Sequence, residues 1–86
     1  MEMSMERDEE AMLRINGYDD CIMGMACIWR DQTRVEVLVY DGDAMVEELI
    51  KNSGLTFEEA HEYVEYNIEG AYVGERTPVI VWPYDL

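Results

Sequence analysis

Two apolar runs, "CIMGMACIW" at 21–29 and "RVEVLVY" at 34–40, stand on either side of the short polar stretch "RDQT". This arrangement constrains the chain more than any other feature it has. Two strand-length runs joined by a polar loop of hairpin length predict an antiparallel β-hairpin. The first run is apolar throughout, which suggests a strand buried on both faces and therefore central in its sheet. Gly24 and Ala26 leave room for close packing on their side. The second run alternates, with Val35, Val37 and Val39 on one face. If Trp29 faces Arg34, paired positions sum to about 63. Ile22 then lies near Asp41 and Asp20 near Asp43, so Asp19, Asp20, Asp41 and Asp43 gather at one end of the sheet.

The period changes after the hairpin. "DGDAMVEELIKNSG" starts a helix that Asp41 or Asp43 can cap, and acids in the first turn suit the helix dipole. Met45, Val46, Leu49 and Ile50 form its apolar stripe, and Gly54 ends it in a left-handed conformation. A second helix begins at once. Thr56 and Glu59 have capping-box spacing, and Ala60, Val64, Ile68 and Ala71 form an inward stripe. This helix runs to about Ile68 or Ala71, where Gly70 and Gly74 end it. Pro78 opens a last strand, "VIVW" at 79–82, at a position where a missing N–H is tolerated. The expected fold is α+β. It has a small three-stranded antiparallel sheet in ββααβ order with both helices on one face. Residues 18–86 form this single domain. Residues 1–17 are either an acidic arm or a short helix through "RDEEAMLRI", with Ala11, Met12 and Ile15 on one side.

Eighty-six residues leave no room for a second core. The net charge is −14, with 20 acids against 6 bases, and it is uneven. Residues 1–20 carry −5, residues 21–40 balance, and residues 41–86 carry −9. So acidic a chain is no ordinary nucleic-acid binder, because that affinity comes from basic groups displacing counterions. It does not suit an anionic membrane surface either, and no run approaches the roughly 18 apolar residues of a span. A basic partner is the natural complement. "MEMSMERDEE" lacks a signal-peptide pattern, which points to a cytoplasm. Cys21 and Cys27 read as buried thiols. Six residues of strand would hold them roughly 20 Å apart, too far for a disulfide. C-x5-C is not a usual zinc spacing, and only His61 could supplement it.

Glu58, Glu62, Glu65 and Glu69 repeat at helical spacing opposite the inward stripe and form an outward acidic face. They place about one charge per 5.5 Å, against one phosphate per about 3.4 Å along a DNA strand. The helix alone is therefore too sparse to imitate DNA and needs Glu47, Glu48, Glu59 or the nearby aspartates. The bland alternative is a solvated helix face. The aspartate end reads as caps, turns and an acidic knob, with a Mg²⁺ or Ca²⁺ site as the less favoured alternative because no EF-hand spacing or phosphate loop supports one. His61 stands four residues before Glu65, the spacing of a helical pair. With no partner nucleophile in sequence, it reads as a boundary or contact residue rather than a catalytic base.

"YDDCIMG" at 18–24, "VLVYD" at 37–41 and "TFEEAHEYVEYNIEGAYVGERTPVIV" at 56–81 resemble a family of small, largely uncharacterised tailed-bacteriophage proteins. The resemblance covers about residues 18–81 and implies a phage origin, with no settled activity and no accepted catalytic residues. Phage origin and charge together lead to the expectation of a non-enzymatic inhibitor in the host cytoplasm, without a cofactor. It would bind a basic nucleic-acid-binding surface of a host defence or nucleic-acid-processing protein, with a CRISPR effector as the first candidate. Glu58, Glu62, Glu65, Glu69, Glu47, Glu48, Asp19, Asp20, Asp41 and Asp43 are its candidate contacts. The alternatives are a phage accessory or assembly protein and, less favoured, a metal-dependent enzyme using the aspartates. Trp29, Trp82, Tyr84 and Tyr72 exceed what a three-stranded sheet buries, which suggests a homodimer.

Overall fold

A computed structural model describes residues 12–72 and 74–84. A 3-10 turn, Asp19–Cys21, leads into strand β1, Ile22–Arg30, and strand β2, Thr33–Asp41. Helices α1, Gly42–Ser53, and α2, Phe57–Tyr63, follow. A π-helical segment, Val64–Glu69, continues α2, and strand β3 is Val79–Val81. The fold is α+β, in the ββααβ order that the apolar patterns specify.

The hairpin register agrees with the paired-position sum from Arg30↔Thr33 through Trp29↔Arg34 to Gly24↔Val39. Its turn is tighter than "RDQT". Only Asp31 and Gln32 lie between the strands, and both have positive φ, 51° and 69°. A two-residue turn of this hand matches the right-handed twist of the strands it joins. An irregularity between Ile22 and Gly24 shifts the register, so Ile22 faces Tyr40 rather than Asp41. A side chain at Gly24 would meet nothing within 4 Å. The glycine therefore serves this bulge, not the close packing its neighbourhood suggested.

Two sheet-level expectations are corrected. The strand order is β1-β2-β3, so β2 is central and β1 is an edge. Moreover, β2 and β3 are parallel, with Val39↔Val79 and Asp41↔Val81. The reason lies in how many times the chain traverses the sheet. Helix α1 leaves from the end of β2, and the π-helical segment returns to that end, where Glu69 meets Trp82. Residues 70–78 then run back toward the hairpin turn. There the carbonyls of Gly74, Glu75 and Thr77 accept from Arg30, and Arg76 donates to the Glu36 carbonyl. From that end β3 can only run alongside β2 in the same direction.

The core joins Leu38 and Tyr40 of β2, Ile80 of β3, Met45 and Val46 of α1, Ala60 of α2, Val64, and Cys21. The helices thus pack on the Leu38/Tyr40 face of the sheet. Val35 and Val37 alternate to the other face, and both are buried. Burial on both faces belongs to β2, with Leu38 and Tyr40 on the helix side and Val35 and Val37 on the other. On β1, Met23, Met25, Cys27 and Trp29 are exposed. Cys27 is accordingly not the buried thiol its apolar run suggested.

Residues 12–15 are not helical. They lay Met12 and Ile15 against the core, and the Ile15 N–H donates to the Tyr40 hydroxyl at 2.8 Å. Residues 1–11, where the rest of the expected N-terminal helix or arm falls, lie outside the described residues.

Trp82 fixes the start of α1. Its ring covers Gly42 so closely that a Cβ there would come within 2.7 Å of the indole carbons. Gly42→Ala is therefore expected to displace the ring and cost about 1–3 kcal/mol of stability, read as a lower midpoint in urea. Tyr40→Phe leaves the Ile15 N–H without its acceptor and should cost about 1–3 kcal/mol in the same measurement.

Candidate functional site

The acidic helical face begins at a strong N-terminus. The Thr56 hydroxyl accepts from the Glu59 N–H at 3.2 Å, and the Glu59 carboxylate accepts from the Thr56 N–H at 3.0 Å. The capping box is complete. It occupies Glu59 and orients the first turn of α2. Glu58 and Glu62 stand exposed on that helix, with Ala60 fully buried behind them.

After Tyr63 the helix widens. The Gly70 N–H reaches the Glu65 carbonyl five residues back at 3.1 Å, and such wider turns carry fewer degrees of rotation per residue. Two consequences follow. The inward stripe fades, so Val64 is fully buried, Ile68 is half-buried, and Ala71, beyond the segment's end at Glu69, is exposed rather than inward. Glu69, at the end of the widened segment, reaches the residue that follows β3. Glu65 comes within 3.6 Å of His61 Nδ1, and Glu69 accepts from the Trp82 indole N–H at 3.2 Å.

His61 sits between these groups. Its ring stacks on Trp82 with centroids 4.5 Å apart, and the Phe57 ring is tilted to it with centroids 5.8 Å apart. The four glutamates therefore border an aromatic strip of Phe57, His61 and Trp82. Phe57 and His61 have the i,i+4 spacing that reveals a helical neighbour pair. No local spacing ties Trp82 to either of them, so sequence reasoning missed its place beside the stripe.

All four glutamates are exposed. Among the described residues no lysine or arginine comes within ion-pair reach of them. Two guanidinium groups are engaged elsewhere, Arg30 and Arg76 donating to backbone carbonyls. Arg14 lies 3.8 Å from Asp19. These three arginines are thus engaged away from the acidic helix face.

The aspartate end has a different character. Asp41, not Asp43, is the cap of α1, accepting from the Asp43 and Ala44 N–H groups at 2.9 and 3.2 Å. Asp43 stands exposed in the first turn. Asp19 and Asp20 lie in the 3-10 turn before β1, outside the residues paired with β2. Among the described residues no three His, Cys, Asp or Glu side chains are grouped to hold a metal ion. Glu48, Asp41, Asp20 and Glu47 do converge on the buried Cys21. Burial first, and then these carboxylates, push its thiol above the ordinary range. Tyr18 beside it is raised for the same leading reason, with Tyr63, Cys21 and Glu48 adding to burial. The acidic knob therefore has Glu47 and Glu48 as well as Asp20 and Asp41 around one buried thiol.

No protein-family model, curated protein or solved structure matches this chain. No helix among the described residues is long and apolar enough to cross a membrane.

Asp41→Ala is expected to lower stability by about 0.5–2 kcal/mol through loss of the cap, whereas Asp43→Asn should change it far less. The comparison is made by thermal melting of the two single variants. The raised Cys21 thiol gives a second expectation. An unfolded thiol ionises in its ordinary range, near pH 8.5, while the folded one holds its proton. The stability associated with Cys21 is therefore intact below that range and is lost as pH rises through it. Urea midpoints should fall on the alkaline side in wild type, and less steeply in Cys21→Ala measured against its own neutral value.

Proposed function

We propose that this protein is a phage-encoded inhibitor that acts by binding rather than catalysis and offers its acidic helix face to a basic nucleic-acid-binding surface of a host protein. The observation that carries the reading is the exposed set Glu58, Glu62, Glu65 and Glu69, on which no lysine or arginine of the described chain folds back. A chain of charge −14 that neutralised its own acids would have little to offer a basic cleft. This one holds arginines on backbone carbonyls and leaves the helix face negative.

The aromatic strip adds to the argument. Arginine side chains of a nucleic-acid cleft stack on aromatic faces as well as pairing with carboxylates. The exposed Phe57 beside Glu58 and Glu62 provides both kinds of contact within two turns of helix. The knob with Glu47, Glu48, Asp19, Asp20, Asp41 and Asp43 extends the negative surface beyond what one helix supplies. A CRISPR effector is the first candidate partner, because its guide–target channel is a long basic groove shaped for a polyanion. The phage-like motifs at 18–24, 37–41 and 56–81 support that setting, and the host cytoplasm is where such an encounter would take place.

The test begins with affinity capture of the tagged protein from infected host cells and purification of whatever basic protein is retained. Glu62→Lys with Glu65→Lys replaces two exposed acids by two bases, so it should melt close to wild type. It is expected to lose binding mainly through a slower association rate, because steering acts on the encounter. Wild-type binding should weaken steeply with salt and compete with the partner's own nucleic acid. A double variant that binds as tightly as wild type, or an interaction indifferent to salt, would rule out this face.

A further inference from the structure

The edge strand β1 has no place in the acidic-face reading. It is nine residues long and has no neighbour on its outer side among the described residues. Natural edges are blunted by charge, proline or shortness. The opposite edge, β3, is protected in this way, a strand of three residues with Pro78 just before it and Pro83 two positions after its end. Strand β1 contains no proline and no lysine, and Arg30, at its very end, is its one charged residue. The Arg30 guanidinium is turned back onto the 74–77 backbone. Its one protective device is the bulge at the Ile22 end, which leaves a regular stretch from Gly24 to Arg30.

That stretch has an apolar face. Met25 is paired with Leu38 and so shares the helix side of the sheet with it. The helices cover Leu38 but leave Met25 59% and Trp29 68% exposed, with Cys27 between them also exposed. An apolar ledge therefore runs along an unpaired edge.

We infer that β1 is the contact between two copies of this chain, joined edge to edge in antiparallel register about a two-fold axis at Cys27. Charge selects the occupant. Residues 21–40 are neutral overall, while the flanking segments carry −5 and −9. At this strip two copies of so acidic a chain bring together segments without net charge. Glu36 lies beside the axis, 3.9 Å from Cys27 Sγ, with Arg34, on the same strand as Glu36, paired to Trp29. A basic partner finds no net charge here to bind. Symmetry selects the register. The stretch 24–30 is centred on Cys27, so antiparallel pairing sets Met25 against the partner's Trp29 twice, an apolar sulfur–aromatic contact. It also sets Gly24 against the partner's Arg30 and Cys27 against the partner's Cys27. Each copy then satisfies the other's edge N–H and C=O groups, as a closed isologous interface requires. Both helix layers end on the same side of one continuous sheet.

Sedimentation equilibrium of the full chain across a wide concentration range tests this. A mass approaching twice the 10.0 kDa of one chain is expected. Its formation should strengthen with added salt, because screening relieves the repulsion between two acidic copies. This dependence has the opposite sign to that of basic-partner binding. Glu62→Lys with Glu65→Lys leaves β1 untouched and should still dimerise, so the two proposals fail separately. Met25→Lys with Trp29→Lys alters exposed side chains and lowers the net negative charge. If repulsion alone governed association, this variant would dimerise better. It is expected instead to weaken the dimer by roughly tenfold or more, with folding checked by circular dichroism. If that variant does not fold, wild type alone still decides. A short bismaleimide should join two chains through Cys27, and Cys27→Ser should abolish the product while Cys21→Ser keeps it. A monomer at every concentration and salt, a dimer weakened by salt, a dimer unaffected by the lysines, or no Cys27 cross-link would overturn the inference.

Discussion

Tyr40 is the residue on which the architecture converges. It is fully buried, it faces Ile22 on β1 and Ile80 on β3, and it belongs to the core that holds both helices. Its hydroxyl would be costly to bury without a partner. The Ile15 N–H supplies one, and in doing so pins the segment before β1 across the core. One side chain thus sets the centre of the sheet, the seat of the helices and the path of residues 12–15. The next residue, Asp41, leaves the core to cap α1, so the strand-to-helix corner takes place within two adjacent positions.

The second constraint is where the charges are not. An 86-residue chain with 20 acids must fold against its own repulsion. The neutral hairpin forms the inner sheet, the acids move to α1, α2 and the turns, and arginines tie loop backbones to the hairpin. Arg30 and Arg76 bind carbonyls of the 70–78 return and of β2, with Tyr72 beneath the Arg30 guanidinium at 5.5 Å. The same distribution that lets the chain fold leaves one strongly negative face and one neutral apolar edge. The proposed basic partner would dock on the first and the proposed second copy on the other, with opposite dependence on salt.

Local signals were legible in detail. The capping box at Thr56 and Glu59, an aspartate cap at Asp41 or Asp43, the left-handed Gly54 and the hairpin register all follow from interactions spanning a few residues, and the structure chose Asp41. The outward placement of Glu58, Glu62, Glu65 and Glu69 was legible for the same reason, because helical spacing alone separates them from Ala60 and Val64. The rank of the strands was not. An uninterrupted apolar run such as 21–29 signals burial on both faces, but it reads the same when one edge and one face stay open. The π-helical widening has no spacing signature either, and it lies in the segment that carries Glu69 to Trp82.

The amino-acid sequence by itself therefore determined the elements, their caps, their order and the sign of the surface, since each depends on neighbours within a turn of helix or a hairpin. Only the tertiary structure decided that β3 runs parallel to β2, that β1 is an open edge and that Trp82 lies over Gly42 and His61. These depend on how many times the chain crosses the sheet before it returns. The crossing at 70–78 is held by Arg30 and Arg76 reaching backbone carbonyls more than forty positions ahead of one and forty behind the other. Backbone carbonyls are the same at every residue, so no pattern of side chains announces which of them a distant arginine will find.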